Sequence, residues 1–158
     1  GISLTYYEYT TLAAFVILMA QKPAVIILEV GLGGRLDATN IVDADIAVIT
    51  TIALDHQAFL GNTREAIALE KAGIMRAKTP VVIGDSNPPD TLVSHVKTVN
   101  ALPFYRNDAF KVFVDPGNDQ QWIWQSSTQK FQLTSDCFIP KDNIACAIKV
   151  LECNRQKS

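Results

Sequence analysis

Three short and almost unbroken apolar runs, residues 24–30 (AVIILEV), 46–54 (IAVITTIAL) and 80–84 (PVVIG), constrain this chain more than anything else in it. A strand with one face in water alternates apolar and polar residues, whereas a strand covered on both faces reads as a continuous apolar run. Parallel strands need a crossover between them, usually a helix. The stretches between the runs have helical spacing, so the expected class is α/β, a mostly parallel sheet flanked by helices.

The helix signals are local. Thr5 and Glu8 have the spacing of a capping box, predicting a helix to about Gln21 that buries Leu12, Phe15, Val16 and Met19 and stops at Pro23. Asn62 with Glu65 gives a second cap signal, and the following helix ends near Gly73. Pro88-Pro89-Asp90 opens a third, with Leu92, Val93, Val96 and Val99 on one face. After Leu102 the texture changes. Phe104-Tyr105 and the segments 110–114, 122–125 and 130–133 are short and separated by turn residues, which predicts an antiparallel β extension over about 103–136. Asn143 then precedes a helix over 144–151, and residues 152–158 read as a polar tail.

At 158 residues the chain suits one domain with a real core, and 48% apolar with 19% charged residues reads as globular. A net charge of −2 without a basic stripe gives no reason to expect nucleic acid or an anionic membrane as partner. The apolar run over 12–20 falls well short of the roughly 18 residues that span a bilayer. Cys137, Cys146 and Cys153 have no metal-binding or disulfide-framework spacing, which suits a reducing cytoplasm. The start Gly1-Ile2-Ser3, without Met and almost directly at a helix, reads as a piece of something longer.

Chemistry gathers at the ends of the first two runs, as expected at the carboxyl edge of a parallel sheet. The first run contains Glu29 and exits into Gly31-Leu32-Gly33-Gly34-Arg35-Leu36; the second ends on Asp55-His56. A dinucleotide fingerprint would need glycine at Leu36, so that reading is broken, although an oxidoreductase domain stays open as an alternative. The bland reading of the loop is a strand exit that needs positive φ. Glu29 in an apolar strand would need a metal, or Arg35, to compensate its charge. His56 could be a satisfied core histidine, Asp37 and Asn40 simple Asx turns, and Lys71 a solvated helix lysine. No G-x-x-x-x-G-K-[ST] phosphate loop is present.

Together these motifs resemble the folylpolyglutamate synthase and dihydrofolate synthase family of Mur-ligase-like, ATP-dependent amide ligases. The segments that carry the resemblance are Thr5-Tyr6-Tyr7-Glu8-Tyr9, the run from Ile27 through Glu29-Val30-Gly31-Leu32-Gly33-Gly34-Arg35-Leu36-Asp37-Ala38-Thr39-Asn40, Ile49 to His56, Leu60-Gly61 and Glu70-Lys71-Ala72-Gly73-Ile74. They cover residues 3–84 strongly and the β extension weakly. Thr51 stands where serine is usual and keeps the hydroxyl.

The resemblance implies that residues 1–151 are part of a P-loop-type central domain, with the phosphate loop and a carboxyl-terminal domain belonging to segments outside this chain. It implies a reaction in which ATP phosphorylates the carboxylate of dihydropteroate or a folate, and the amine of L-glutamate attacks the acyl phosphate to form the amide and release phosphate. By carry-over, Glu29 and His56 would each ligand one of two Mg²⁺ ions, and a carbamylated Lys71 would support them. Thr5, Tyr6, Tyr7, Glu8, Leu36, Asp37 and Ala38 would line the pteroate pocket, and Asn143 would approach the adenine of ATP. The parent would be a cytoplasmic monomer, and this chain alone would lack ligase activity. A non-catalytic pteroate-binding module is the other alternative.

Overall fold

The computed structural model of the chain describes residues 1–134 and 138–155. Helix α1 (Tyr6–Gln21) is followed by a 3₁₀ turn (Ala38–Ile41), strand β1 (Ala47–Ile49), the one-turn α2 (Gln57–Leu60) and α3 (Arg64–Ala72). Then come β2 (Pro80–Ile83), α4 (Asp90–Val99), β3 (Leu102–Tyr105), β4 (Phe110–Asp115), β5 (Asn118–Ser126), β6 (Lys130–Thr134) and α5 (Lys141–Arg155). Strands β1, β2 and β3 form a parallel sheet in that order, and β4, β5 and β6 a separate antiparallel one.

β2 shows why a continuous apolar run marks a central strand. Alternate residues of a strand face opposite sides of its sheet. Val81 and Ile83 pack with Ile67, Ala68 and Ala72 of α3 and with Leu92 and Val96 of α4. Val82, on the other side, packs with Phe110, Trp122 and Trp124 of the antiparallel sheet and with Ala145 and Cys146 of α5. All four residues of β2 are buried. Fully burying a side chain such as Leu92 contributes roughly 1.5–3 kcal/mol over leaving it in water. Trp124 is the largest fully buried side chain; its Nε1 donates to Ala145 O at 3.0 Å, satisfying the indole and tying the antiparallel sheet to α5.

Several expectations are corrected. Residues 24–30 form no strand: Val25, Ile26, Ile27 and Leu28 are 37–90% exposed, and no described strand pairs with them. A run of this kind is stable as a strand only between neighbours that take its backbone groups. Glu29 is accordingly exposed, and Arg35 pairs with Glu70 instead of compensating it. α1 has its capping box, with Glu8 N donating to Thr5 Oγ1 at 3.2 Å and Thr5 N donating to Glu8 Oε2 at 2.7 Å. It buries none of its residues, however; Val16 is 68% and Met19 75% exposed, because residues 24–30 build no sheet for it to cover.

The second run yields only the three residues of β1, because Ile52 N leaves the ladder to donate to the Asp85 carboxylate at 2.8 Å. The cap of α3 is Thr63 rather than Asn62. Phe104-Tyr105 belongs to the parallel sheet, paired with Val82 and Ile83, so the antiparallel strands begin only at Phe110. Residues 152–155 continue α5, with Glu152 and Cys153 buried, since Lys149, Ser126 and Thr128 all donate to the Glu152 carboxylate. Cys137 and residues 156–158 lie outside the described residues.

Candidate functional site

The glycine loop lies against α3 rather than standing free. Gly33 and Gly34 have φ of +67° and +156°, and a Cβ on Gly34 would meet Ile74 Cγ2 at 2.9 Å and Glu70 O at 3.1 Å. Glycine is thus required for close approach as well as for the turn. Arg35 N donates to Glu70 O at 2.9 Å, and its guanidinium meets the Glu70 carboxylate at 3.0 Å.

Asp37 closes the loop. Its Oδ1 accepts from Thr39 N at 2.8 Å, Thr39 Oγ1 at 2.7 Å and Tyr7 Oη at 3.3 Å, and its Oδ2 accepts from Gly31 N at 3.0 Å. Burial works against ionisation, but hydrogen bonds from Thr39, Gly31 and Leu32 together outweigh it and hold the Asp37 carboxyl below its usual range. Desolvation, with the nearby Asp37 charge, pushes the Tyr7 hydroxyl up. Hydrogen bonds from the backbone and hydroxyl of Thr5 lower the Glu8 carboxyl.

Between this loop and the first turns of α1 lies a cleft of about 360 Å³, whose lining includes Leu4, Glu8, Leu12, Leu36, Asp37, Ala38 and Ile41. Its wall is mostly apolar in area and also carries the Glu8 and Asp37 carboxylates, the Arg35 guanidinium, the Thr11 hydroxyl and the Asn40 amide, so it can meet a ligand that has both apolar and polar groups. Of the seven residues expected at a pteroate pocket, Glu8, Leu36, Asp37 and Ala38 come together here. Thr5 and Tyr7 hold it from behind through Glu8 and Asp37, and Tyr6 is 85% exposed.

The other expected residues are placed singly. His56 has a left-handed backbone (φ 50°) and an exposed side chain, with Nε2 3.6 Å from Asp55 Oδ2. Lys71 lies partly buried in the last turn of α3. Among the described residues, no three His, Cys, Asp or Glu side chains stand together as a metal cage. Mg²⁺ is usually held by one or two carboxylates, with waters and substrate phosphates completing the octahedron, so the exposed Glu29 carboxylate suits it, whereas the imidazole of His56 is an uncommon ligand for it. Asn143 is exposed in the first turn of α5, beside Asp142, which pairs with Arg106 at 2.9 Å. The glycine loop runs into a single 3₁₀ turn rather than the N-terminus of a longer helix, which removes the structural context a dinucleotide fingerprint needs.

Two groups of residues escaped the sequence reading. Asp85, buried at the end of β2, accepts from Ile52 N and from Arg64 Nη2 at 2.9 Å, while Arg64 Nε donates to Ile52 O at 2.9 Å. This ties the exits of β1 and β2 to the start of α3. Arg76 donates to Asn40 O and Asn40 Oδ1, each at 3.0 Å, and pairs with Asp43. The one available signal was Asp85 itself, a carboxylate directly following an apolar strand.

The parallel α/β body thus carries polar groups at its strand exits and is closed on its second face by an antiparallel sheet and a helix. The model of the Mur ligase middle domain matches residues 1–151, and the chain belongs to that family. It is 46% identical over 150 residues to a dihydrofolate synthase/folylpolyglutamate synthase of Haemophilus influenzae and 43% identical to that of Escherichia coli, in each case over 95% of this chain. It spans about a third of the length of these relatives (34% and 35%). Among solved structures, E. coli FolC in complex with DHPP and ADP superposes with a TM-score of 0.88 at 43% identity, over 96% of this chain and 36% of that one. The bifunctional enzyme of Yersinia pestis complexed with AMPPNP and Mn ion gives 0.82 at 44% identity, over the same shares.

Proposed function

We propose that this chain is the substrate-facing part of a central domain in an ATP-dependent ligase that joins L-glutamate to dihydropteroate, to folates, or to both. The observation that carries the reading is the cleft at the glycine loop, where Glu8, Leu36, Asp37 and Ala38 converge beside a carboxylate latch. The relatives support it by their names, and the E. coli structure by its bound DHPP and ADP.

In such a ligase Leu36, Ala38 and Leu12 provide apolar contact for an aromatic ring system, and Glu8 and Asp37 offer acceptors to its ring N–H groups. Asp37 has already committed much of its acceptor capacity to Thr39, Tyr7 and Gly31, so its first task is to keep the loop in shape. Glu29 and His56 would hold Mg²⁺, one ion each. Lys71, as a carbamate, would add an anion to that side. Bound with ATP, Mg²⁺ supplies charge neutralisation at the transferring phosphoryl group. Asn143 would meet the adenine. Among the described residues no helix is long and apolar enough to cross a membrane. On the family resemblance we place the whole protein in the cytoplasm as a monomer.

The test is ADP formation by the full-length protein. It should require dihydropteroate or a folate, L-glutamate and a divalent metal together, and Glu29→Gln should raise the metal concentration needed for half-maximal rate. ATP turnover indifferent to pteroates would overturn the reading.

A further inference from the structure

Arg76 follows α3 and has no place among the residues assigned to substrate, nucleotide or metal, yet it is the most connected side chain near the cleft. Its Nη2 forks to the backbone and side-chain oxygens of Asn40, its Nη1 donates to Gly73 O at 3.2 Å and to Met75 O at 3.1 Å, and its Nε faces Asp43. Asn40 Nδ2 in turn donates to Gly73 O and to Arg35 O, both at 3.1 Å. The guanidinium thus takes the end of α3, Asn40 and Asp43 directly, and it reaches the other end of the segment 35–43 only through the bond from Asn40 to Arg35 O. Leu36, Asp37 and Ala38 hang between those two ends. A planar fork with several fixed donors can hold such a set of carbonyls in one geometry, which a single ammonium cannot.

We propose that Arg76, acting through Asn40, is a positioning residue that fixes the cleft-lining loop and thereby sets the affinity for the pteroate substrate. The proposal rests on the reading of the cleft as the pteroate site. It also couples the cleft to the helix that carries Lys71, because Arg76 grips the carbonyls at that helix's end.

The experiment is steady-state kinetics of the full-length protein with dihydropteroate, glutamate and ATP varied in turn, alongside thermal midpoints. Arg76→Ala should raise the KM for dihydropteroate about tenfold or more, since displacing a binding element by about 1 Å is enough for that. The KM for ATP should stay within about twofold. Arg76→Lys should fall between, keeping the charge near Asp43 but losing the fork. Asn40→Ala should resemble Arg76→Ala, and the double variant should be little worse than either, as for two members of one contact. Leu36→Arg, which blocks the cleft directly, is the control. If it raises the KM for dihydropteroate while Arg76→Ala does not, the positioning role is wrong and the cleft stands. If Arg76→Ala moves all three KM values and kcat together with the thermal midpoint, the residue is merely structural and the proposal fails. If Leu36→Arg leaves the KM for dihydropteroate unchanged, the cleft reading falls and takes the proposal with it.

Discussion

Arg64 and Asp85 meet at 2.9 Å where β1 and β2 end, with the Asp85 side chain 4% and the Arg64 side chain 35% exposed. The pair does more than neutralise a buried charge. Asp85 takes the amide of Ile52, and Arg64 takes the carbonyl of the same residue, so both backbone groups of Ile52 are satisfied outside any strand. This sets the path by which the chain leaves β1 toward Asp55 and His56.

Asp85→Ala should therefore destabilise the domain by about 3 kcal/mol, because it leaves the buried Ile52 amide without an acceptor and takes from the Arg64 guanidinium its carboxylate partner, leaving it only carbonyl oxygens. Asp85→Asn should cost less, since one oxygen remains. Urea denaturation of the full-length protein measures both, and a midpoint for Asp85→Ala equal to wild type would contradict the account.

The latch at Asp37 predicts an acid-sensitive loop. Its folded carboxyl lies below the usual value, so the anion is bound more tightly in the folded state than in the unfolded one. The stabilisation is complete above the unfolded pKa of about 3.9 and disappears as pH falls through the folded one. The amide resonances of Gly31 and Thr39 should titrate together below about pH 4. In Asp37→Asn that titration should vanish. A midpoint above the ordinary aspartate value would refute the latch.

Gly73 is a steric prediction free of backbone strain. Its φ of −61° suits any residue, but an added Cβ would lie 2.6 Å from Arg35 Cα, which cannot rotate away. Gly73→Ala should cost about 1–3 kcal/mol through overpacking. Truncating Arg35 to Ala in the same chain should recover little of it, because the obstruction includes backbone. A denaturation midpoint for Gly73→Ala equal to wild type would mean that the loop yields freely at this contact.

What the sequence disclosed and what it withheld have physical reasons. β2 was legible because both faces are covered, which leaves its four residues uniformly apolar. β3 was not: it is an edge strand carrying Pro103, and an edge tolerates a missing N–H that a central strand cannot. The apolar stripe of α1 was read correctly as apolar and wrongly as buried, since periodicity reports a residue's preference and not whether a partner is at hand. At the site, the glycine loop and Asp37 were visible as a motif within ten residues. The Arg76–Asn40 contact spans 36 positions and the Asp85–Ile52 contact 33. Nothing local marks either arginine, because the side chains they meet lie far along the chain, Asp85 21 positions from Arg64 and Asn40 36 from Arg76.

The Trp124 peg has a practical corollary for anyone who wishes to tag or dissect the domain. With β5 pinned to α5 through Ala145, and the β5–β6 end tied to the same helix through Ser126, Thr128 and Glu152, the only exposed connection of the antiparallel sheet that is not tied to the helix is the tip at Pro116-Gly117, among the described residues. A fluorophore or an inserted peptide there would project from a rigid stem. It would report on the orientation of α5 while leaving the cleft at the glycine loop untouched.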